Sequence, residues 1–325
     1  MNIPAILATF RNLRVLVIGD LMVDHYIWGE VNRISPEAPV PVVHVARESH
    51  TAGGAANVAL NLAALGIAAE LIGSLGEDDA GRRLRALLAT SRIEASRCAT
   101  IPGTSTIVKT RVIARTQQLC RIDHEGARDG YTLENGRVSD EVLAMAIAAA
   151  DAVIISDYAK GTISQTLINR VIAAARIHGK LVAVDPKPSR HLSFNNVGLI
   201  TPNRHEALEL ADLPEPGVGE SYPLEEACRR IHAKFSPDLL VITLGADGMA
   251  LCRNGVVEHV MPTEAREVFD VSGAGDTVIA TLTAALAAGC APIDAARLAN
   301  KAAGVVVAKM GTATASPADL LQTKD

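Results

Sequence analysis

Val15-Leu16-Val17-Ile18-Gly19-Asp20 is the stretch whose pattern decides the fold. Four consecutive apolar residues leave no polar alternation, so a strand here must be covered on both faces. Similar runs return at 153–155, 181–184, 199–200 and 239–242. Each gives way to a polar residue: Asp20, Ser156-Asp157, Asp185, Thr201 and Thr243. Helical apolar spacing separates them, at 57–65, 82–89, 142–150, 167–177 and 224–235. Such alternation predicts an α/β fold, with a central, mostly parallel sheet and helices on both faces. Ligands of these sheets bind beyond the carboxyl ends of the strands, so the polar residues just named are expected to line one crevice.

Two stretches break this rhythm. Residues 25–45 carry Tyr26, Trp28, Val31 and Ile34, then Pro36, Pro39 and Pro41, and residues 104–123 alternate apolar with polar. Both predict antiparallel strands with one wet face. They are expected to form a small inserted β-sheet lid over the crevice, at about 25–46 and 104–123, within a single domain spanning 1–325. Ordinary edge hairpins are the alternative. A helical pattern at 291–309 is expected to pack against an Ala-rich helix at 278–288.

Composition narrows the classes of function. The 325 residues are 49% hydrophobic and 21% charged, with a net charge of −5 and no long basic run, which argues against a nucleic-acid partner. Aromatics at 3% leave few platforms for stacked bases. Five scattered cysteines, none in a CxxC pair, point to reduced thiols in a cytoplasmic setting and away from structural zinc. No stretch reaches the ~18 apolar residues of a membrane span.

The chemistry concentrates in Asp270-Val-Ser272-Gly273-Ala274-Gly275-Asp276-Thr277. Two glycines close a turn and a small-apolar helix follows, so Ala274, Gly275 and Asp276 fall at a helix N-terminus. The first N–H groups of a helix have no internal partner and, with the helix dipole, attract an anion. A carboxylate beside a bound phosphate is placed to take a proton from an attacking hydroxyl. An Asp that merely caps a helix is the plainer reading of this motif alone. Further on, Thr243-Leu-Gly245-Ala-Asp-Gly248 reads as a tight turn between two strands.

Taken together, these motifs resemble the ribokinase-like (PfkB) carbohydrate kinases. Gly53-Gly54-Ala-Ala-Asn57 is similar to that family's sugar-binding motif, and the Asp270–Thr277 stretch to its anion hole and catalytic Asp. Asn203-Arg-His-Glu206 resembles its Mg²⁺-organising N-x-x-E motif, largely acting through water. Thr243, Gly245 and Gly248 resemble its nucleotide-binding turn, with Asn300 on the nucleotide side. The resemblance implies ATP and Mg²⁺ as cofactors, and a monovalent cation, K⁺, at Asp270 and the Ser272 carbonyl near residues 309–311. It also implies a homodimer paired through the lid.

A narrower resemblance, to the heptose 7-phosphate kinases of lipopolysaccharide-core synthesis, rests on four segments. These are Gly19–Gly29, Arg33–Val42, Lys109–Arg111 with Gln117–Asp123, and Val184–Lys187. It implies phosphorylation of C1 of D-glycero-D-manno-heptose 7-phosphate to the β-1,7-bisphosphate, on the way to ADP-heptose, by a stand-alone kinase form. Asp20, Asp24, Asn57 and the Gly53-Gly54 backbone suit sugar hydroxyls. Lys109, Arg111, Arg121 and Lys187 are candidates for the substrate's own phosphate. Another sugar, ketose-phosphate or sugar-acid kinase, or a non-catalytic sugar-binding regulator, stays open on these residues. A dinucleotide-dependent oxidoreductase does not, because no GxGxxG follows the first strand, and no P-loop occurs either.

Overall fold

A computed structural model describes residues 1–115, 117–134, 136–265 and 267–322. Its strands are β1 (Arg14–Gly19), β2 (Leu21–Ile34), β3 (Pro41–Gly54), β4 (Ala68–Ile72), β5 (Ser74–Gly76), β6 (Ala99–Ile101) and β7 (Ile107–Ala114). They continue with β8 (Gln117–His124), β9 (Ala152–Ser156), β10 (Leu181–Asp185), β11 (Leu199–Ile200), β12 (Leu239–Thr243), β13 (Met249–Arg253) and β14 (Val256–Met261). The helices are α1 (Ile3–Phe10), α2 (Ala55–Ala64), α3 (Asp79–Thr90), α4 (Asp140–Ala149) and α5 (Gln165–Ile177). After them come α6 (Arg204–Leu210), α7 (Leu224–Phe235), α8 (Ala274–Ala287), α9 (Pro292–Val307) and α10 (Pro317–Gln322).

The eight-stranded main sheet runs β14-β13-β12-β11-β10-β9-β1-β4. It is parallel from β4 to β12, and β13 and β14 turn antiparallel at one edge. The unbroken apolar runs follow from its two covered faces. Val15 and Val17 pack into a cluster with Val58 and Leu62 of α2, Ile279 and Leu282 of α8, and Leu298 of α9. Leu16 and Ile18 point the other way, to Leu143 of α4, Leu167 and Val171 of α5, and Ile231 of α7. Helices α8 and α9 pack together as expected. Side-chain caps set several helix starts: Asp78 accepts from Gly81 N–H at 2.8 Å, and Ser164 from Leu167 N–H at 3.0 Å.

A second, four-stranded sheet has the order β3-β2-β7-β8. It differs from expectation in two respects. Strand β2 begins at Leu21, one residue after β1, and β3 runs on to Gly54, so the Gly53-Gly54 pair is the inner end of a lid strand that leads straight into α2. The β2–β7 pairing is parallel, not antiparallel. Both strands leave the body of the protein in the same direction, and the β3 return lies on the far side of β2, which leaves β2 and β7 no antiparallel option. The outer pairs, β2–β3 and β7–β8, are antiparallel, and every residue of β8 is exposed.

Candidate active site

Four of the polar strand-end residues converge as expected, while Asp20 and Ser156 are fully buried and do not line the crevice. Asp157, Asp185, Thr201 and Thr243 join Asn203, Glu206, Gly273, Gly275 and Asp276 around one cavity of about 170 Å³ at the carboxyl ends of the parallel strands. Helix α8 starts there, with Gly273 as its N-cap and Asp276 in its first turn. The Ala274 N–H donates to the Val271 carbonyl at 3.2 Å, which narrows the expected three-donor anion site. The N–H groups of Gly275, which is exposed, and Asp276 remain for a ligand.

Asp276 is only 5% exposed. Its Oδ2 accepts from Asn57 Nδ2 at 2.6 Å, and its Oδ1 accepts from the Tyr158 hydroxyl. Burial pushes its pKa up to about 6, opposed by these two hydrogen bonds, while the Asp24 charge adds to the rise and Lys109 reduces it. Those values suit a general base working near neutrality.

Tyr158 carried no motif and was missed from the sequence. Its one signal was position, directly after the strand end Ser156-Asp157. Asp20 explains its placement and corrects an expectation. Asp20 was expected on sugar hydroxyls, but it is fully buried and its carboxylate accepts three backbone N–H groups. Its Oδ2 takes Tyr158 N–H at 2.9 Å and Lys160 N–H at 3.0 Å, and its Oδ1 takes Thr162 N–H at 2.9 Å. Both oxygens thus anchor the loop after β9, and neither faces the cleft.

The lid builds one side of the surroundings of Asp276. Asp24 on β2 lies in register with Lys109 on β7, and Lys109 with Asp123 on β8, so the three share a sheet face. Tyr26, Arg111 and Arg121 form the next row on that face. Arg111 forms an ion pair with Asp24. Arg121 instead pairs with Asp123, with its side chain 51% exposed. Gly53 is needed for a close approach: a Cβ there would lie 2.3 Å from Asp24 Oδ2. Gly53→Ala is therefore expected to displace the Asp24 carboxylate, breaking its pairing with Arg111. The acceptor KM should rise about tenfold or more, the loss of one hydrogen bond to a charged group, with the ATP KM little changed. Steady-state kinetics against both substrates checks this split.

The other side of Asp276 is built by α6. Asn203 caps that helix, its Oδ1 accepting from His205 and Glu206 N–H at 3.0 and 2.9 Å, while Glu206 Oε2 accepts from Asn203 N–H at 3.0 Å. The N-x-x-E motif is thus a capping box. Lys187 Nζ donates to Glu206 Oε1 at 3.0 Å. It was expected with the lid cations, but the structure places it on the wall with Asn203 and Glu206. Burial, with Glu206 and Asp276 as like charges, raises the Asp185 carboxyl well above its usual range. Burial and Asp20 push Asp157 up to about 6, against the Ala159 N–H bond.

Beyond Thr243, the turn at Gly245–Asp247 reverses the chain into β13. Gly248 has φ of +92°, and a Cβ there would sit 1.9 Å from the Met261 carbonyl, so only glycine fits. Asn300 is buried and donates to the Pro262 carbonyl at 2.7 Å, holding the wall of a second cavity of about 360 Å³ that also includes Met261 and Thr263. Asp270 accepts from Ser272 N–H at 2.9 Å and Gly311 N–H at 3.0 Å, so its loop and residues 309–311 do meet.

Comparison with known proteins identifies the fold and the family. Ribokinase of Arabidopsis thaliana, complexed with ribose and ATP, superposes with a TM-score of 0.76 at 21% identity, covering 95% of this chain and 98% of that one. Escherichia coli phosphofructokinase-2, in complex with substrates and products, gives 0.74 at 20% identity with coverage of 95% and 98%. These likenesses define a ribokinase-like fold. Residues 12–319 match the pfkB family carbohydrate kinase model, and the chain belongs to that family. Among curated relatives, the bifunctional protein HldE of Halorhodospira halophila is 47% identical over 315 residues, 96% of this chain and 63% of the relative. That of Magnetococcus marinus is 43% identical over 311 residues, 95% of this chain and 63% of the relative. The chain therefore spans a little under two thirds of the length of these relatives.

Proposed function

We propose that this chain transfers the γ-phosphoryl group of ATP to C1 of D-glycero-D-manno-heptose 7-phosphate, giving the β-1,7-bisphosphate for ADP-heptose and lipopolysaccharide-core synthesis in the cytoplasm. The observation that carries this reading is the place of Asp276. It lies between Asp24, Gly53 and Asn57, which we read as the acceptor side, and Asn203, Glu206 and Thr243, which we read as the nucleotide side, with the Gly275 and Asp276 N–H groups at the α8 N-terminus. The segments resembling heptose 7-phosphate kinases, and the identity to the HldE proteins, support the choice of sugar.

Asp276 takes the proton of the attacking hydroxyl, while Asp24 and the Gly53-Gly54 backbone hold the sugar. The α8 N-terminus meets the charge that develops on the transferred group. The donor set suits Mg²⁺: oxygen groups of Asn203, Glu206 and Asp185 line the wall, where burial and the like charges of Glu206 and Asp276 raise the Asp185 carboxyl well above its usual range. When bound, largely through water at Asn203 and Glu206, the ion supplies neutralising charge to the phosphates. K⁺ suits the Asp270 loop with the Ser272 carbonyl. The edge strand β8, unpaired on its outer side among the described residues and with Leu119 and Ile122 exposed, supports a homodimer through the lid.

An ATP-consumption screen over free and phosphorylated sugars tests the reading. Turnover confined to a heptose 7-phosphate is the expected result. Comparable turnover on a hexose phosphate or a sugar acid, or none on any sugar, overturns it.

A further inference from the structure

Asp20, in the turn between β1 and β2, and Tyr158, in the β9–α5 loop, form a connected pair beside Asp276. Asp20, fully buried, gathers the N–H groups of residues 158, 160 and 162, and the Tyr158 ring is thereby set against Asp276. We propose that Tyr158 is a positioning residue for the general base, its hydroxyl fixing the Asp276 carboxylate plane opposite Asn57. This rests on the reading of Asp276 as the base.

The geometry is that of a clamp. Asn57 donates to one carboxylate oxygen at 2.6 Å and Tyr158 to the other, so rotation of the carboxylate breaks at least one bond. Both hydrogen bonds favour the ionised form, but neither donor is a cation, and burial still holds the carboxyl up to about 6. Burial and the charges of Asp276, Asp185 and Asp24 hold the Tyr158 phenol well above its usual pKa, so it stays a donor throughout the working range. The other charged groups that act on Asp276 are Asp24 from β2, Lys109 from β7 and Asp185 from β10. Loss of the phenol hydroxyl leaves these in place and removes one stabiliser of the ionised form.

Tyr158→Phe keeps the ring and deletes the donor. Its kcat/KM against pH, measured with whichever sugar the enzyme phosphorylates, is expected to show the acid limb moved upward by about one pH unit. At a pH on that limb the loss is about tenfold, and it shrinks at higher pH, while the ATP KM stays within about twofold. A ¹³C titration of the Asp276 carboxyl in the substrate-free protein should move in the same direction. An unmoved limb and titration, or an equal loss at every pH with a lowered Tm, overturns the inference. If Tyr158→Phe does not fold, Asp20→Asn provides the second variant and should move the limb the same way. Where both fold, the double variant should add little to either. An active Asp276→Asn would remove the base itself and this inference with it. An inactive Asp276→Asn beside an unmoved Tyr158→Phe would remove the inference alone.

Discussion

Asp276→Asn is expected to lower kcat by about 10²–10⁴, the usual contribution of a general base, while leaving acceptor affinity within about threefold. The substituted amide is isosteric and can still accept from Tyr158. Its NH₂ would meet the Asn57 NH₂, but Asn57 Oδ1 is buried with no partner among the described residues, and a flip of that amide offers it as an acceptor. The site therefore repacks without a cavity. Stability should not suffer. Burial pushes the folded-state pKa of Asp276 up to about 6, above the 3.8 of an unperturbed Asp. Between those values the folded state holds a proton that the unfolded state has lost, so this group's contribution to stability falls as pH rises through the window. At neutral pH the ionised carboxylate is a net cost that Asn removes. The variant's Tm at pH 7.5 should equal or exceed the parent's, and the difference should narrow toward pH 4. In the parent, kcat/KM should fall as pH drops below about 6, where the base takes up a proton. Near-normal turnover of Asp276→Asn would exclude the catalytic role, and a large drop in Tm would point to a structural one.

The same residue shows what the sequence could convey. Glycines before a small-apolar run predicted a helix N-terminus, and α8 does begin there, with Gly273 as its N-cap. The main sheet was legible for a similar reason, since burial on both faces of Leu16 and Val17 forbids polar alternation. Partnerships across long separations were not. Asp20 and Asp24 look alike in the sequence, four residues apart. One is sealed beneath the β9–α5 loop while the other faces Gly53 and Arg111, because Asp20 sits in the turn between two sheets and Asp24 on a lid strand. Tyr158 reaches Asp276 over 118 positions, a contact that no local pattern encodes. The parallel β2–β7 pairing was hidden likewise, since alternation reports a wet face but not the direction of a neighbour.

The candidate phosphate-binding cations can be ranked by what already neutralises them, and the ranking gives a second large effect. Arg111 is taken by Asp24, Arg121 by Asp123 and Lys187 by Glu206. Lys109 has no ion pair or hydrogen bond among the described residues; its Nζ lies 5.6 Å from the centre of the Tyr158 ring. Its ammonium is half-buried, and burial, together with Lys160 and Arg121, lowers its pKa against the pull of Asp24. A cation kept in a cleft without a full counter-charge is costly unless a ligand supplies one. We expect the substrate's distal phosphate to do so. A charge-assisted hydrogen bond of about 1.5–3 kcal/mol corresponds to roughly 10–100-fold in kcat/KM. Lys109→Ala should therefore cost about that much with the phosphorylated sugar and less than about threefold with its dephosphorylated analogue. Its Tm should hold or rise, because a desolvated charge is lost. Arg121→Ala, removing a cation already paired at the exposed edge of the lid, should cost under about threefold with either sugar. Equal losses with both sugars in Lys109→Ala would move the phosphate site elsewhere on the lid, and a larger loss in Arg121→Ala would identify that arginine as the phosphate ligand.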